Sequence, residues 1–281
     1  LPCASVVTIH DLMWLEQPEL VDGRPFLRRV RQPYYRRGLH WALTRATRII
    51  AVSEATAERI RAVAPESAGR VRVTHNAAEA VFVPAPDPNQ AQRAAHGIIG
   101  SAAPYYLVVG KNEPYKGHEL AVRAFARAAR EDELLVLIQR ASKSTRLRQL
   151  AQELGVAKRL RFLDSVDGEE LLTLLQSAHA LLHPSLVEGF GIPALEAMAC
   201  GCPVLGSDTP ALVEVMGGAG LHAAVGDEQA LARAIARLRE PGTRDELVRR
   251  GLLRVKEFSW ERTAAATLDV YREAASEGAR R

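Results

Sequence analysis

Residues 183–205, HPSLVEGFGIPALEAMACGCPVL, restrict the fold of this chain more than any other stretch. Before them, residues 178–182 form a short apolar run that reads as a buried strand. After them, Pro203-Val204-Leu205 and Gly206-Ser207-Asp208 read as the end of another strand turning into a loop. Between the two, residues 192–200 have helical spacing, with Leu195, Met198 and Ala199 on one face and Gly201 as a stop. Pro193 suits the first turn of that helix. Strand, glycine-rich turn, helix and strand make a βαβ unit, and therefore an α/β fold with a parallel sheet.

The turn Glu188-Gly189-Phe190-Gly191 is where chemistry is expected. Its glycines let the backbone bend tightly and leave a ligand room to approach. The N–H groups opening the next helix lack partners and sit at its positive end, which suits a phosphate. Glu188 lies in the turn and Glu196 eight residues on, so the two can grip different hydroxyl-bearing parts of one ligand. Loop glycines beside two surface glutamates are the plainer reading of the turn by itself.

Length and composition bound the rest. A chain of 281 residues, 47% hydrophobic and 25% charged, has room for one large or two ordinary globular domains. No apolar run approaches the roughly 20 residues of a membrane span. The chain opens Leu1-Pro2-Cys3-Ala4-Ser5 and enters a strand-like run at 6–9 almost at once, so a fragment entered in mid-domain is expected. Three cysteines, an odd number, argue against a disulfide framework, and Cys200-x-Cys202 lacks the second ligand pair of a metal site. Both are expected in the core.

Strands are expected at 6–9, 48–52, 71–74, 105–109, 134–138 and 160–163, with helices at 119–129, 228–238, 245–258 and 260–275. His10-Asp11 closes the first strand, where ligands of open α/β sheets gather. Ser53 caps a helix. Pro84-Ala85-Pro86-Asp87-Pro88 marks a stiff linker and the domain boundary. Net charge is +4, but the 37 basic residues comprise 32 Arg and only 5 Lys. Two of the five, Lys111 and Lys116, fall in the loop after strand 105–109 and make a good diphosphate clamp. From Gly23 to Ser53 there is no acidic residue, while Arg24, Arg28, Arg29, Arg31, Arg36, Arg37, Arg45 and Arg48 all occur. Pro33 is expected to divide this segment into two short helices. With Tyr34, Tyr35 and Trp41 among the arginines, it reads equally as a surface for an anionic membrane or as a solvated face whose apolar side packs inward. Nothing else supports nucleic-acid binding.

The run P-S-x-x-E-G-F-G-x-P-x-x-E-A-M-A-C-G-x-P-V resembles the E-x7-E segment of the retaining GT-B glycosyltransferases of family 4, and the resemblance extends over essentially the whole chain. It implies two Rossmann-like parallel-sheet domains, the first incomplete. Residues 1–88 would end the acceptor-side domain, 89–258 would form the nucleotide-sugar domain, and 259–281 would be a helix crossing back. The loop Gly110–Gly117 looks like the family's G-R-x5-K-G, with Lys111 in place of the common Arg. His75-Asn76-Ala77 departs from the usual P-N-G, and Gln139 to Lys143 replaces a glycine turn, where Arg140 or Lys143 is offered to phosphate instead.

By resemblance, Lys111 and Lys116 meet the donor diphosphate and the Gly189-Phe190-Gly191 amides cap it. Glu188 holds sugar hydroxyls, Glu196 the ribose, the backbone around Val166 the base, and His10 the sugar from the other domain. His10, Lys116 and Glu188 are the catalytic set. No metal or other cofactor is implied, since cations and helix amides stabilise the leaving diphosphate. The expected reaction moves a hexose from a nucleotide-diphosphate sugar to a glycan or lipid-linked acceptor, in the cytoplasm or at the inner face of its membrane. Mannose from GDP-mannose leads, with UDP-glucose and UDP-GlcNAc open. A nucleotide-sugar-binding module without turnover is the alternative, and a glycoside hydrolase using Glu188 and Glu196 is the enzyme rival.

Overall fold

A computed structural model describes residues 3–21, 25–139 and 144–278. The first part runs β1 (Val6–Ile9), α1 (Met13–Glu16), α2 (Pro18–Val21), α3 (Pro25–Arg45), β2 (Arg48–Ala51), α4 (Glu54–Val63) and β3 (Val71–Val73). After the proline-rich segment come α5 (Pro88–Ile99), β4 (Tyr105–Val109), α6 (His118–Ala128), β5 (Leu134–Ile138), α7 (Thr145–Glu153), β6 (Leu160–Leu163) and α8 (Gly168–Ser177). Then follow β7 (Ala180–His183), α9 (Ile192–Ala199), β8 (Val204–Ser207), α10 (Pro210–Met216), β9 (Leu221–Ala223), α11 (Glu228–Arg237), α12 (Thr243–Arg254) and α13 (Trp260–Gly278). Among the described residues these strands form two parallel sheets, ordered β1-β2-β3 and β6-β5-β4-β7-β8-β9. The expected α/β architecture is present.

Strand alternation divides the core of the larger sheet. Tyr105, Leu107, Val136, Leu181 and Val204 face one side, against Leu174 of α8 and Leu195 and Met198 of α9. Tyr106, Val108, Leu135, Leu137, Leu182 and Leu205 face the other, against Phe125 of α6, Leu150 of α7 and Ile235 of α11. Both faces are apolar, as a parallel sheet covered by helices requires. The order reverses between β4 and β7, so the crevice beyond their carboxyl ends is the switch point at which ligands bind in open α/β sheets.

Pro33 does not divide its segment, contrary to expectation, because Pro25–Arg45 is one helix. A proline removes one N–H bond to the carbonyl four residues back, here that of Arg29. Arg29 and Pro33 are both exposed, so water can take the freed carbonyl and the helix continues. Arg24 lies outside the described residues. Helix α5 was not anticipated: Asp87 accepts N–H bonds from Asn89 and Gln90, so the proline-rich segment also starts a helix. The short edge strand β9, after the glycine turn, was also missed.

Helix α13 returns to the first sheet and packs on β1 and β2. Arg48 on β2 binds the carboxylates of both Glu273, at 3.0 Å, and Glu277, while Arg72 meets Glu273 at 2.8 Å. The Arg48 guanidinium is mostly buried, so its loss is felt beyond an exposed ion pair. Arg48→Met is expected to cost about 1–3 kcal/mol in urea unfolding and to make α13 sensitive to limited proteolysis. An unchanged unfolding curve and digest would contradict this placement of the helix.

Candidate functional site

Strand β7 delivers His183 into the turn 184–191, and α9 opens immediately afterwards. The turn leaves no room for side chains at its glycines. A Cβ on Gly189 would lie 1.8 Å from the His10 carbonyl oxygen. Gly191, at φ +106, faces Leu212 at 2.5 Å from where its Cβ would be. The glycine turn of the second sheet thus closes directly onto the loop after β1.

Hydrogen bonds fix that closure from both sides. The buried hydroxyls of Ser53 and Thr56, at the start of α4, donate to the Gly189 carbonyl at 2.7 and 3.1 Å. In return, the free N–H groups of Glu54 and Ala55 donate to the Glu214 carboxylate of α10 at 2.8 and 2.9 Å. His75 Nε2 reaches the same carboxylate at 2.7 Å. Burial alone would raise the Glu214 carboxyl, but these bonds hold it below its ordinary value. The buried Phe190 ring packs against both His75 and Phe258, which also touch each other, and so helps to join the two parts.

Glu188 is the best-held charge in the turn. Its Oε1 accepts from Lys116 Nζ at 2.6 Å, Ser185 Oγ at 2.8 Å and His183 Nε2 at 3.0 Å. Burial opposes its ionisation, but the hydrogen bond from His183, joined by the charge and hydrogen bond of Lys116, brings the carboxyl down to about 2. An ionised acceptor sets the tautomer: His183 carries its proton on Nε2. Lys116 sits in a tight turn, Pro114–Lys116, that stops at Gly117. Gly117 has φ +67, and a Cβ there would be 2.2 Å from the Pro184 oxygen. The Leu186 N–H donates to the Tyr115 carbonyl at 2.7 Å. The lysine loop and the glycine turn are therefore one rigid unit.

Two cavities flank this unit. The smaller, about 240 Å³, is lined by His10, Asp11, Tyr115, Glu188 and residues 189–193. The larger, about 470 Å³, lies beyond β4 and β5 and is lined by Gly110, Lys111, Gln139, Asp164, Ser165 and Val166. His10, Glu188, Gly189, Phe190 and Gly191 are thus brought together, as are Lys111 and Val166, with Lys116 bonded to Glu188. Glu196 lines neither cavity. It is partly buried, and burial followed by the nearby charge of Glu79 raises its carboxyl to about 7.

Several contributing residues escaped the sequence. His183 and Ser185 brace Glu188 from within the same motif, and polar residues beside a lone acid in an apolar strand end were the available signal. Ser53 was legible only as a cap. His118, its pKa lowered by burial to about 4, shares its Nδ1 with Gln139 Oε1 at 2.9 Å. Its Nε2 and the Gln139 Nε2 are buried with no partner among the described residues. Arg140 and Lys143 lie outside the described residues. Cys200 and Cys202 are buried free thiols with raised pKa values, Cys202 up to about 12, as suits core packing. Among the described residues, no group of three or more His, Cys, Asp or Glu side chains is placed to hold a metal ion.

Comparison with known proteins matches residues 90–251 to the family model "Glycosyl transferases group 1" and residues 1–82 to "Glycosyltransferase Family 4". The chain is 30% identical over 273 residues to O-antigen chain mannosyltransferase B of Escherichia coli, covering 95% of this chain and 70% of that protein. It is 32% identical over 247 residues to D-inositol 3-phosphate glycosyltransferase of Acidothermus cellulolyticus, covering 83% of this chain and 52% of that protein. Among solved structures, sucrose-phosphate synthase from Thermosynechococcus elongatus superposes with a TM-score of 0.78 at 25% identity, covering 97% of this chain and 68% of that one. Anabaena HepE, in complex with UDP and glucose, gives 0.78 at 19% identity, covering 97% and 72%, and shows likeness of fold.

The raised Glu196 carboxyl gives a test of the site's electrostatics. Its folded pKa lies above the unfolded value, so the penalty of burying its charge is absent below about pH 4.5 and grows as pH rises to about 7. Glu196→Gln should therefore be more stable than the parent above pH 7, by on the order of 1–2 kcal/mol, and equal to it at acid pH. Chemical unfolding across this range checks it, and a pH-independent difference would contradict it.

Proposed function

Because this chain belongs to the glycosyl transferases group 1 family, with a GT-B arrangement of two parallel sheets, we propose that it transfers a hexose from a nucleoside-diphosphate sugar to a glycan or lipid-linked acceptor with retention of anomeric configuration. The observation that carries this reading is the Lys116–Glu188 unit at the mouth of α9, with His10 opposite. Similarity to a mannosyltransferase favours mannose, and GDP-mannose, as donor.

In this reading the base occupies the larger cavity, beside Val166 and the β5 end, and Lys111 reaches the diphosphate. Lys116 and the amides of residues 189–191 face the β-phosphate. The bond between the anomeric carbon and the β-phosphate oxygen breaks, and its electron pair stays on that oxygen. Lys116 and the α9 N–H groups are already in place for the growing charge, so little reorganisation is needed. The acceptor hydroxyl oxygen bonds to the anomeric carbon, and its proton passes to the departing phosphate. Glu188, ionised and fixed, orients sugar hydroxyls, and His10 contacts the sugar from the first sheet. Glu196, on α9, takes the ribose hydroxyls.

The hydrolase reading requires two carboxylates flanking one cavity. Glu188 lines the smaller cavity and Glu196 neither, which disfavours it. The binding-module reading keeps the donor site but predicts no turnover.

Lys116→Ala is expected to lower the rate of sugar transfer roughly 100- to 1,000-fold, measured as nucleoside-diphosphate release with GDP-mannose, UDP-glucose and UDP-GlcNAc as donors. Near-parental turnover in the variant would contradict the assignment. Absence of turnover in a folded parent that still binds donor would favour the binding module.

A further inference from the structure

We propose that the outer face of α3 docks this chain on an anionic lipid surface. The inner face of the helix is occupied: Ala42 and Leu43 are buried, and Tyr35 stacks on Trp14 with ring centroids 4.4 Å apart and planes 16° from parallel. The outer face carries Phe26, Val30, Tyr34 and Trp41 at 78, 65, 77 and 43% exposure. At 3.6 residues per turn these four fall within roughly a quarter of the helix circumference. Four large apolar side chains in one outward stripe are more than scattered surface residues.

Charge decides the occupant. Exposed Arg29, Arg37 and Arg45 flank or interleave the stripe, and no acidic residue occurs between Gly23 and Ser53. A lipid surface offers both partners at once, phosphates for the guanidinium groups and an apolar boundary for the rings. Tyr and Trp suit the headgroup depth, where one end is dry and the other wet. Packing of two α3 stripes about a two-fold axis would instead set arginine against arginine, with no carboxylate on the helix to compensate. Among the described residues no helix is long and apolar enough to cross a membrane, so contact through α3 would be peripheral.

The docking face is tied to the cleft. Helix α1 packs on α3, and its Met13 lines the smaller cavity beside His10 and Asp11. Helix α2 touches the turn that carries Lys116. Contact through α3 would therefore hold the cavity mouth close to the lipid surface, within reach of an acceptor whose polar end projects from it.

Vesicle flotation of the whole chain tests it, with phosphatidylcholine alone and with phosphatidylcholine plus phosphatidylglycerol. Binding is expected to the anionic vesicles only and to weaken with added salt. Arg37→Gln with Arg45→Gln should lower partitioning roughly 25-fold, and Tyr34→Ser with Trp41→Ser roughly 10-fold. Circular dichroism melts establish that the variants, all at exposed positions, remain folded. The proposal is overturned if the folded chain ignores anionic vesicles, or if both double variants bind as the parent does. A dimer in sedimentation velocity that dissociates on Trp41→Ser would also overturn it, because the stripe would then be an interface between copies.

Discussion

A single carboxylate holds the centre of this structure. Glu188 is buried, ionised and bound by three donors from three places: the end of β7, the turn itself and the lysine loop. An unpaired charge at that depth would cost several kcal/mol, so the three donors must stay together for the turn to keep its shape. The shape is then passed on through close contacts at its glycines. Gly117 sits against Pro184, Gly189 against His10 and Gly191 against Leu212, each too close for a Cβ. Hydroxyls of Ser53 and Thr56 bind the Gly189 carbonyl from the other sheet, and Glu214 caps α4 in return. Closure between the two parts and the geometry of the glycine turn are therefore one property.

The two acidic residues of the motif are tuned in opposite directions by their surroundings. Glu188 lies among donors and is depressed to about 2, whereas Glu196 lies among apolar neighbours and near Glu79 and is raised to about 7. Near neutral pH the first is a fixed charge and the second can donate or accept.

What the sequence revealed was local. The βαβ unit was legible because its strand, glycines, Pro193 and helix are contiguous, and Lys111 and Lys116 stood out because lysine is scarce among arginines. Long-range partnerships were not legible: Ser53 and Gly189 are 136 residues apart, and a serine that caps a helix gives no sign of a second acceptor. His183 and Ser185 were in plain view, but their convergence on Glu188 depends on the turn's path. Pro33 misled because a proline costs a helix energy without always ending it, and at this exposed position water can take the freed carbonyl. Glu196 was expected on the ligand with Glu188; it stands on α9 and lines neither cavity, a separation that the spacing of the two residues in the sequence does not show.

The most direct test of the proposed donor site is calorimetric titration of the folded chain, and of Glu196→Ala, with GDP, UDP and ADP. Binding of one nucleotide in preference to the others, weakened by the substitution, is the result this account predicts. A folded chain that binds none of the three, or binds all three equally with no effect of Glu196, would contradict it.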